Sequence, residues 1–507
     1  MTTKTLLQRY WMFCLLFLLL PKLSFGGELD TPTIVAGTSK ITGRIISPND
    51  KIENNIFIKF MVPHPISGEY VEYKAFVDKS GRFSIDVNVE TTISLIGLIT
   101  SLDPKKSLLV KLTSGNVTNI DITYNSSFDI NTIQVTPSMS QSDITQPMDV
   151  IVKMITYRSN RAPQPLYNKT PQYFLNWVKT PLDERLEIVK NDSLISKDLK
   201  PVLFKDYRLF YYDTFIFDYE KEMDLNYQNT NNGDNSKKPD FQKIDRSYYR
   251  FLNDFNLNDS QYLICSTFLM FQKTLLQNEI VGLPLIEETD IPSWLAKVKV
   301  ILADLVGFND GPYYDILVAN AYARQLNEEV RPLSEKQKEN ITNYWKDGEI
   351  AKILFRKNQQ VVELNKAKTA VVVNDIASVS KDKVIEAILL KNKGKVVFID
   401  LWATWCGPCL KAMNDFRSTK GEFHDKNVAF VYLTNGSSPK KLWEEKIKGI
   451  GGEQYYLNST QWEFVMDQFQ FEYIPSYLLY NKEGVLINKF SAFPGNEEVK
   501  SMINGLL

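Results

Sequence analysis

The chain has 507 residues, too many for one core, so roughly two to four domains are expected. Hydrophobic residues make up 44% and charged residues 23%, a balance that excludes a disordered chain. With 59 basic and 60 acidic residues, it also lacks the positive surplus that a nucleic acid or an anionic lipid surface would call for.

Residues 1–26 read as a secretory signal peptide. Lys4 and Arg9 form a basic start, Trp11 to Leu20 an apolar stretch, and Ser24-Phe25-Gly26 a small-x-small cleavage site. That apolar stretch is too short to span a bilayer comfortably; an uncleaved membrane anchor is the alternative. Cys14 lies inside the stretch behind bulky Phe13, which argues against a lipidated cysteine. No later run is apolar enough to span, so an exported, periplasmic-type protein, soluble after cleavage, is expected. Cleavage removes Lys4, Arg9 and Lys22 and takes the net charge from −1 to −4. Three of the four cysteines remain, too few for a disulfide-stapled scaffold.

Residues 37–125 carry short alternating segments between turn residues. Ile56 to Phe60, Val71 to Val77 and Phe83 to Val87 read as strands, with Asp78-Lys-Ser-Gly81 as a hairpin turn. Leu95 to Ile99, Leu108 to Leu112 and Val117 to Ile122 continue the pattern. About seven strands in so short a span predict an antiparallel β-sandwich, whose bland role is packing or spacing.

Over residues 140–366 the period becomes helical and predicts an all-α domain. Leu203, Tyr207, Phe210, Thr214 and Phe217 recur at three and four, as do Phe204, Tyr211 and Phe215. Gln261 to Gln277, Pro292 to Leu305 and Pro312 to Leu326 behave alike, with the two prolines suited to first-turn positions. Asn226 to Asp240 reads as a flexible loop. The aromatic stripes fit a core better than a peptide groove, and Cys265 reads as a buried core thiol.

Residues 368–507 alternate strand and helix, which predicts an α/β domain with helices on both faces of a sheet. Helices are expected at Lys381 to Leu390, Cys406 to about Lys420, Pro439 to Lys448, Gln461 to Phe469 and from Glu497. Strands are expected at Lys395 to Asp400, Val428 to Leu433, Gln454 to Leu457, Ser476 to Tyr480 and Val485 to Lys489.

Within this region Trp402-Ala-Thr-Trp-Cys-Gly-Pro-Cys409 places two cysteines three apart at the start of a helix, directly after a buried strand. Half a zinc site would need two more thiolates or imidazoles. Only Cys265, His64 and His424 remain, and none clusters with the pair, so no metal is expected. A dithiol–disulfide exchanger uses every feature of the stretch, with no cofactor beyond its own disulfide. Cys406, at the helix N-terminus, meets unpaired N–H groups and the macrodipole. A thiol pKa lowered there by about one to two units favours the anion by roughly 1.4–2.7 kcal/mol. Cys406 is then the exposed attacker, and Cys409, one turn inward, resolves the mixed disulfide. Gly407 admits a partner backbone, and Pro408 loses little by lacking an N–H in the first turn.

The stretch Phe398-Ile-Asp-Leu-Trp-Ala-Thr-Trp-Cys-Gly-Pro-Cys409 resembles the active-site segment of the thioredoxin superfamily. Ile474-Pro475-Ser-Tyr-Leu-Leu-Tyr-Asn-Lys-Glu-Gly484 resembles its cis-proline loop and final hairpin. Together with the signal peptide, the C-terminal domain is similar to the TlpA/ResA-like exported thiol–disulfide oxidoreductases of bacteria, over residues 368–507. The resemblance implies that Asp400 is a buried acid of raised pKa that relays a proton for the interior thiol. It implies that Pro475 is the cis-proline, presenting with Ile474 backbone to a bound peptide, and that Trp405 flanks the attacking sulfur as packing or substrate contact. The second acidic residue of many exported members has no counterpart we can place among Thr434 to Tyr456. Residues before about 340 have no counterpart in the minimal enzymes, so the substrate stays open.

The expected activity is reduction of disulfides in exported proteins, with electrons from a membrane thiol carrier, as the resemblance implies. Spacing sets neither the reduction potential nor the oligomeric state. An isomerase or oxidase therefore stays open, as does a binding or scaffold protein with an accessory thioredoxin-like domain.

Overall fold

The computed structural model describes residues 30–47, 56–231, 239–366 and 368–507. The expected signal peptide, with Cys14, lies outside the described residues. The chain is multidomain: a sheet-rich N-terminal region, a helical middle and an α/β C-terminal region.

Eight strands open the chain: β1 (Ile34–Ile46), β2 (Phe57–His64), β3 (Glu69–Phe76), β4 (Arg82–Thr91), β5 (Ile93–Thr100), β6 (Leu108–Thr113), β7 (Val117–Tyr124) and β8 (Ile130–Thr136). They form two four-stranded sheets, ordered β4-β1-β7-β8 and β3-β2-β5-β6. Alternate residues of both, among them Ile41, Phe60, Val87, Leu98, Val110 and Ile122, enclose one apolar core. At the β3–β4 turn Asp78 accepts the Ser80 and Arg82 N–H groups at 2.8 and 2.9 Å, and Gly81 takes a left-handed φ of 82°. One pairing corrects the all-antiparallel expectation: β1 lies parallel to β7. The chain leaves the second sheet after β6 and re-enters the first through the Ser114–Asn116 turn, which delivers β7 in the direction of β1.

Nine α-helices follow among the described residues: α1 (Gln141–Thr156), α2 (Pro171–Asn191), α3 (Leu199–Phe215), α4 (Tyr219–Thr230), α5 (Phe268–Gln277), α6 (Ile291–Val306), α7 (Pro312–Arg324), α8 (Glu335–Trp345) and α9 (Glu349–Lys366). Pro171, Pro292 and Pro312 occupy first-turn positions, where a missing N–H costs nothing. Tyr207, Tyr211 and Phe217 are buried in the common core, while Phe204 and Phe215 at the flanks of the stripe are exposed. The helix expected from Gln261 to Gln277 is broken at Cys265–Thr267. Asp206 on α3 takes the Ser266 hydroxyl and the Thr267 N–H, both at 2.7 Å, and pulls the chain out of helical register.

The C-terminal region contains β9 (Val371–Asn374), α10 (Val384–Lys391), β10 (Val396–Leu401), α11 (Gly407–Gly421), β11 (Val428–Asn435), α12 (Lys440–Ile450), β12 (Gly452–Leu457), α13 (Ser459–Phe469), β13 (Ser476–Tyr480), β14 (Leu486–Ser491) and α14 (Asn496–Asn504). One six-stranded sheet runs β14-β13-β10-β11-β12-β9. Every residue of central β10 is buried, because both faces are covered. Val396 and Phe398 pack toward α11, α12 and α14, and Val397, Ile399 and Leu401 toward α10 and α13.

The regions are bolted together by charge. Arg324 on α7 forks onto Glu445 on α12, and Glu328 bridges Lys273 of α5 and Lys446 of α12. The contact is close: a Cβ at Gly449 would run into the Glu328 carbonyl. Asn320 and Asn327 donate to the carbonyls of Pro65 and Ser67 at 2.9 and 2.8 Å, joining the helices to the sheets.

Candidate active site

β10 stops at Leu401 because the next five residues, Trp402–Cys406, turn across its C-terminal end into α11. Cys406 caps α11 with extended backbone (φ −78°, ψ 93°), and its sulfur accepts the Cys409 N–H at 3.2 Å. Pro408 lies in the first turn. Cys406 and Cys409 are joined by a disulfide, with their Cα atoms 5.3 Å apart. In this oxidised state Cys406 is only 4% exposed and Cys409 0%, so Cys406, expected from the sequence to be the exposed attacker, is buried. The opening lies instead at Gly407 and Pro408, both exposed, with free space around the position a Gly407 Cβ would take.

Just before β13, whose Ser476 pairs with Leu401 of β10, the Ile474–Pro475 peptide is cis, and Pro475 accepts the Ala492 N–H at 3.0 Å. Ile474 is half-buried, and Tyr473 before it is exposed. Trp405 is 62% exposed, in contrast to Trp402, which is fully buried.

Asp400 lies on the α11 face of β10. Its register partners are Tyr432 on β11 and Tyr477 on β13. Burial pushes the Asp400 carboxyl well above its usual range, with Lys420 opposing the rise, and its Oδ1 has no hydrogen-bond partner among the described residues. Lys420, near the C-terminal end of α11, is itself buried. Burial and neighbouring Arg417 push its ammonium down to about 7, with Asp400 opposing. Its Nζ donates to the Tyr432 hydroxyl at 3.2 Å and to the Ile450 carbonyl. Burial and the Asp400 charge raise both flanking phenols. Asp400 is thus a buried carboxyl of raised proton affinity on the face of β10 that packs against α11.

Sequence reasoning named Cys406, Cys409, Asp400, Trp405, Gly407, Pro408, Ile474 and Pro475, and all eight lie at this end of the sheet. It missed Lys420, Tyr432 and Tyr477. One signal was present: Lys420 follows Cys409, Ala412 and Phe416 on the buried face of α11, and a lysine on an apolar stripe calls for a partner. Among the described residues no cluster of His, Cys, Asp or Glu could hold a metal ion, and no helix is long and apolar enough to cross a membrane.

The Redoxin family model matches residues 364–505. A thioredoxin of Coprinus comatus is 33% identical over 72 residues, 14% of this chain and 68% of its own length. Thiol-disulfide oxidoreductase ResA of Bacillus subtilis is 30% identical over 95 residues, 19% of this chain and 52% of its own length. The solved thioredoxin domain of a thiol-disulfide oxidoreductase from Bacteroides vulgatus is 22% identical, covering 23% of this chain and 84% of that one with a TM-score of 0.21. This chain belongs to the thioredoxin superfamily, and its C-terminal region is similar to thiol-disulfide oxidoreductase ResA, of which it spans about half the length.

Proposed function

We propose that this protein is exported and reduces disulfides of other exported proteins through Cys406 and Cys409. The observation that carries the reading is the bonded pair at the α11 N-terminus, open at Gly407 and backed by a carboxyl of raised proton affinity. In the reduced enzyme, Cys406 attacks one sulfur of a substrate disulfide. The other substrate sulfur leaves as a thiolate and takes up a proton. Cys409 gives its proton to Asp400 and attacks the Cys406 sulfur, which releases the second substrate sulfur. Two electrons pass to the substrate, and the enzyme is left with the Cys406–Cys409 disulfide. Ile474 and Pro475 supply backbone for the substrate polypeptide.

An extracytoplasmic site of action requires a donor that returns the disulfide to the dithiol, and a membrane thiol carrier of the kind that serves ResA-like proteins fits that need. No metal or organic cofactor enters the cycle. Insulin reduction with dithiothreitol tests the chemistry: Cys406→Ser is expected to abolish it, and full activity in that variant overturns the reading. Titration in glutathione buffers then sets the direction of exchange, since about 30 mV is worth 1.4 kcal/mol for this couple.

A further inference from the structure

The end of β11 and the loop after it, residues 435–438, are tied to the segment that leads into Cys406. Ser438 is fully buried. Its Oγ accepts the Thr404 N–H at 3.0 Å and shares a hydrogen bond with the Thr434 hydroxyl at 2.8 Å. Its carbonyl takes the Tyr456 hydroxyl at 2.6 Å, and its N–H reaches the Asn435 carbonyl at 2.9 Å. Ser438 is therefore a fixed base for both segments.

On that base stands Ser437, which is exposed. Its hydroxyl donates to Asn435 Oδ1 at 2.7 Å, and its N–H reaches the same oxygen at 3.1 Å. A serine hydroxyl has one proton to give. With that proton spent on Asn435, the free lone pairs face Trp405, whose indole Nε1–H donates to Ser437 Oγ at 3.0 Å. An indole exposed to this degree is ordinarily free to change rotamer. Here its only polar group is fixed by an acceptor that is itself oriented, while 62% of the residue stays open to solvent next to the reacting sulfur.

We infer that Ser437 is a positioning residue that holds the Trp405 ring in place as a platform for the polypeptide flanking a substrate disulfide. A held ring loses less rotamer freedom when substrate packs on it, so Ser437 acts on binding of protein disulfides and not on the exchange step. The inference rests on the exchange activity proposed above, and its test has a readout independent of that activity.

Two measurements are made on full-length wild type, Ser437→Ala and Ser437→Thr. Solvent exchange of the Trp405 indole proton, followed by NMR on protein labelled with 15N-tryptophan and assigned with Trp405→Phe, is expected to be faster in Ser437→Ala and restored in Ser437→Thr. Steady-state reduction of insulin is expected to show KM raised about two- to tenfold in Ser437→Ala, the range for one lost hydrogen bond. The kcat should stay within about twofold, and the threonine should restore KM. Unaltered indole exchange in Ser437→Ala overturns the positioning role whether or not the protein reduces insulin. Faster exchange with an unaltered KM, or an equal KM rise with glutathione disulfide, which offers little flanking chain, overturns the platform. A wild type that reduces no disulfide overturns the exchange reading and the platform with it, and indole exchange then separately decides the positioning role.

Discussion

The Cys406 sulfur accepts the Cys409 backbone N–H at 3.2 Å, so the atom proposed as attacker is also the cap of its own helix. The two roles separate by substitution. Serine is a good N-cap and alanine a poor one, so Cys406→Ser should be more stable than Cys406→Ala by about 1 kcal/mol in urea unfolding. Both variants lack the disulfide, which removes that difference from the comparison. Both should be inactive. Cys409→Ser should keep the attacker and accumulate mixed disulfides with protein partners, visible on non-reducing gels and absent from the double variant.

Burial raises the proton affinity of the Asp400 carboxyl, which makes it a stability liability with a defined pH dependence. Its folded pKa lies above the ordinary 3.8, so between the two values the folded chain binds more protons than the unfolded one. Stability contributed by the neutral carboxyl is present at low pH and is lost as pH rises through the raised pKa. Asp400→Asn should therefore gain thermal stability relative to wild type with increasing pH above about 4. The same substitution should slow release of substrate from the mixed disulfide by about 100-fold. Stopped-flow reduction reads the rate, and Tm measured across pH reads the stability.

Lys420 has the opposite dependence. Its folded pKa of about 7 lies below the ordinary 10.5, so between these values the unfolded chain binds more protons. Its contribution to stability rises with pH over that window. The stability of Lys420→Met relative to wild type should therefore decline from pH 7 to 10.5, whatever offset comes from the unpartnered Tyr432 hydroxyl and Ile450 carbonyl. Removing the positive charge also raises the Asp400 carboxyl further, so the pH profile of insulin reduction should move upward. A profile unmoved by Lys420→Met would separate the two groups functionally.

The candidate site was legible because its parts are contiguous: the dithiol, its flanks and Asp400 lie within ten residues, and Ile474-Pro475 is a compact second mark. Strand and helix positions in the C-terminal region followed from alternating period. What stayed hidden depends on tertiary contact. β9 is four residues long at a sheet edge, with Val372 and Val373 exposed, and so has no alternation to read. The break at Cys265 depends on Asp206, about sixty residues earlier. The burial of Lys420 and the hold of Ser437 on Trp405 exist only once β11 and α11 have packed together.

The bolt between the helical and C-terminal regions should respond to acid. Burial alone would raise the Glu328 carboxyl, but Lys273 and Lys446 hold it at about 2, below the ordinary 4.5. Lys446 is itself lowered, by burial first and then by Lys273, because the two ammonium groups share one carboxylate. For Glu328 the sign is that of a depressed acid: its stabilisation is fully present above pH 4.5 and lost as pH falls toward 2. At ~1.4 kcal/mol per pH unit, that drop is worth about 3 kcal/mol. Glu328→Gln should lower stability at pH 7 by about that amount, because two ammonium groups then face a neutral side chain in a buried site. It should also flatten the loss of stability between pH 4.5 and 2. Urea unfolding at pH 7 and pH 3 measures both effects. Amide exchange should place the loosening at α12, where Lys446 and Glu445 meet the helical region, while β10 and its disulfide stay protected.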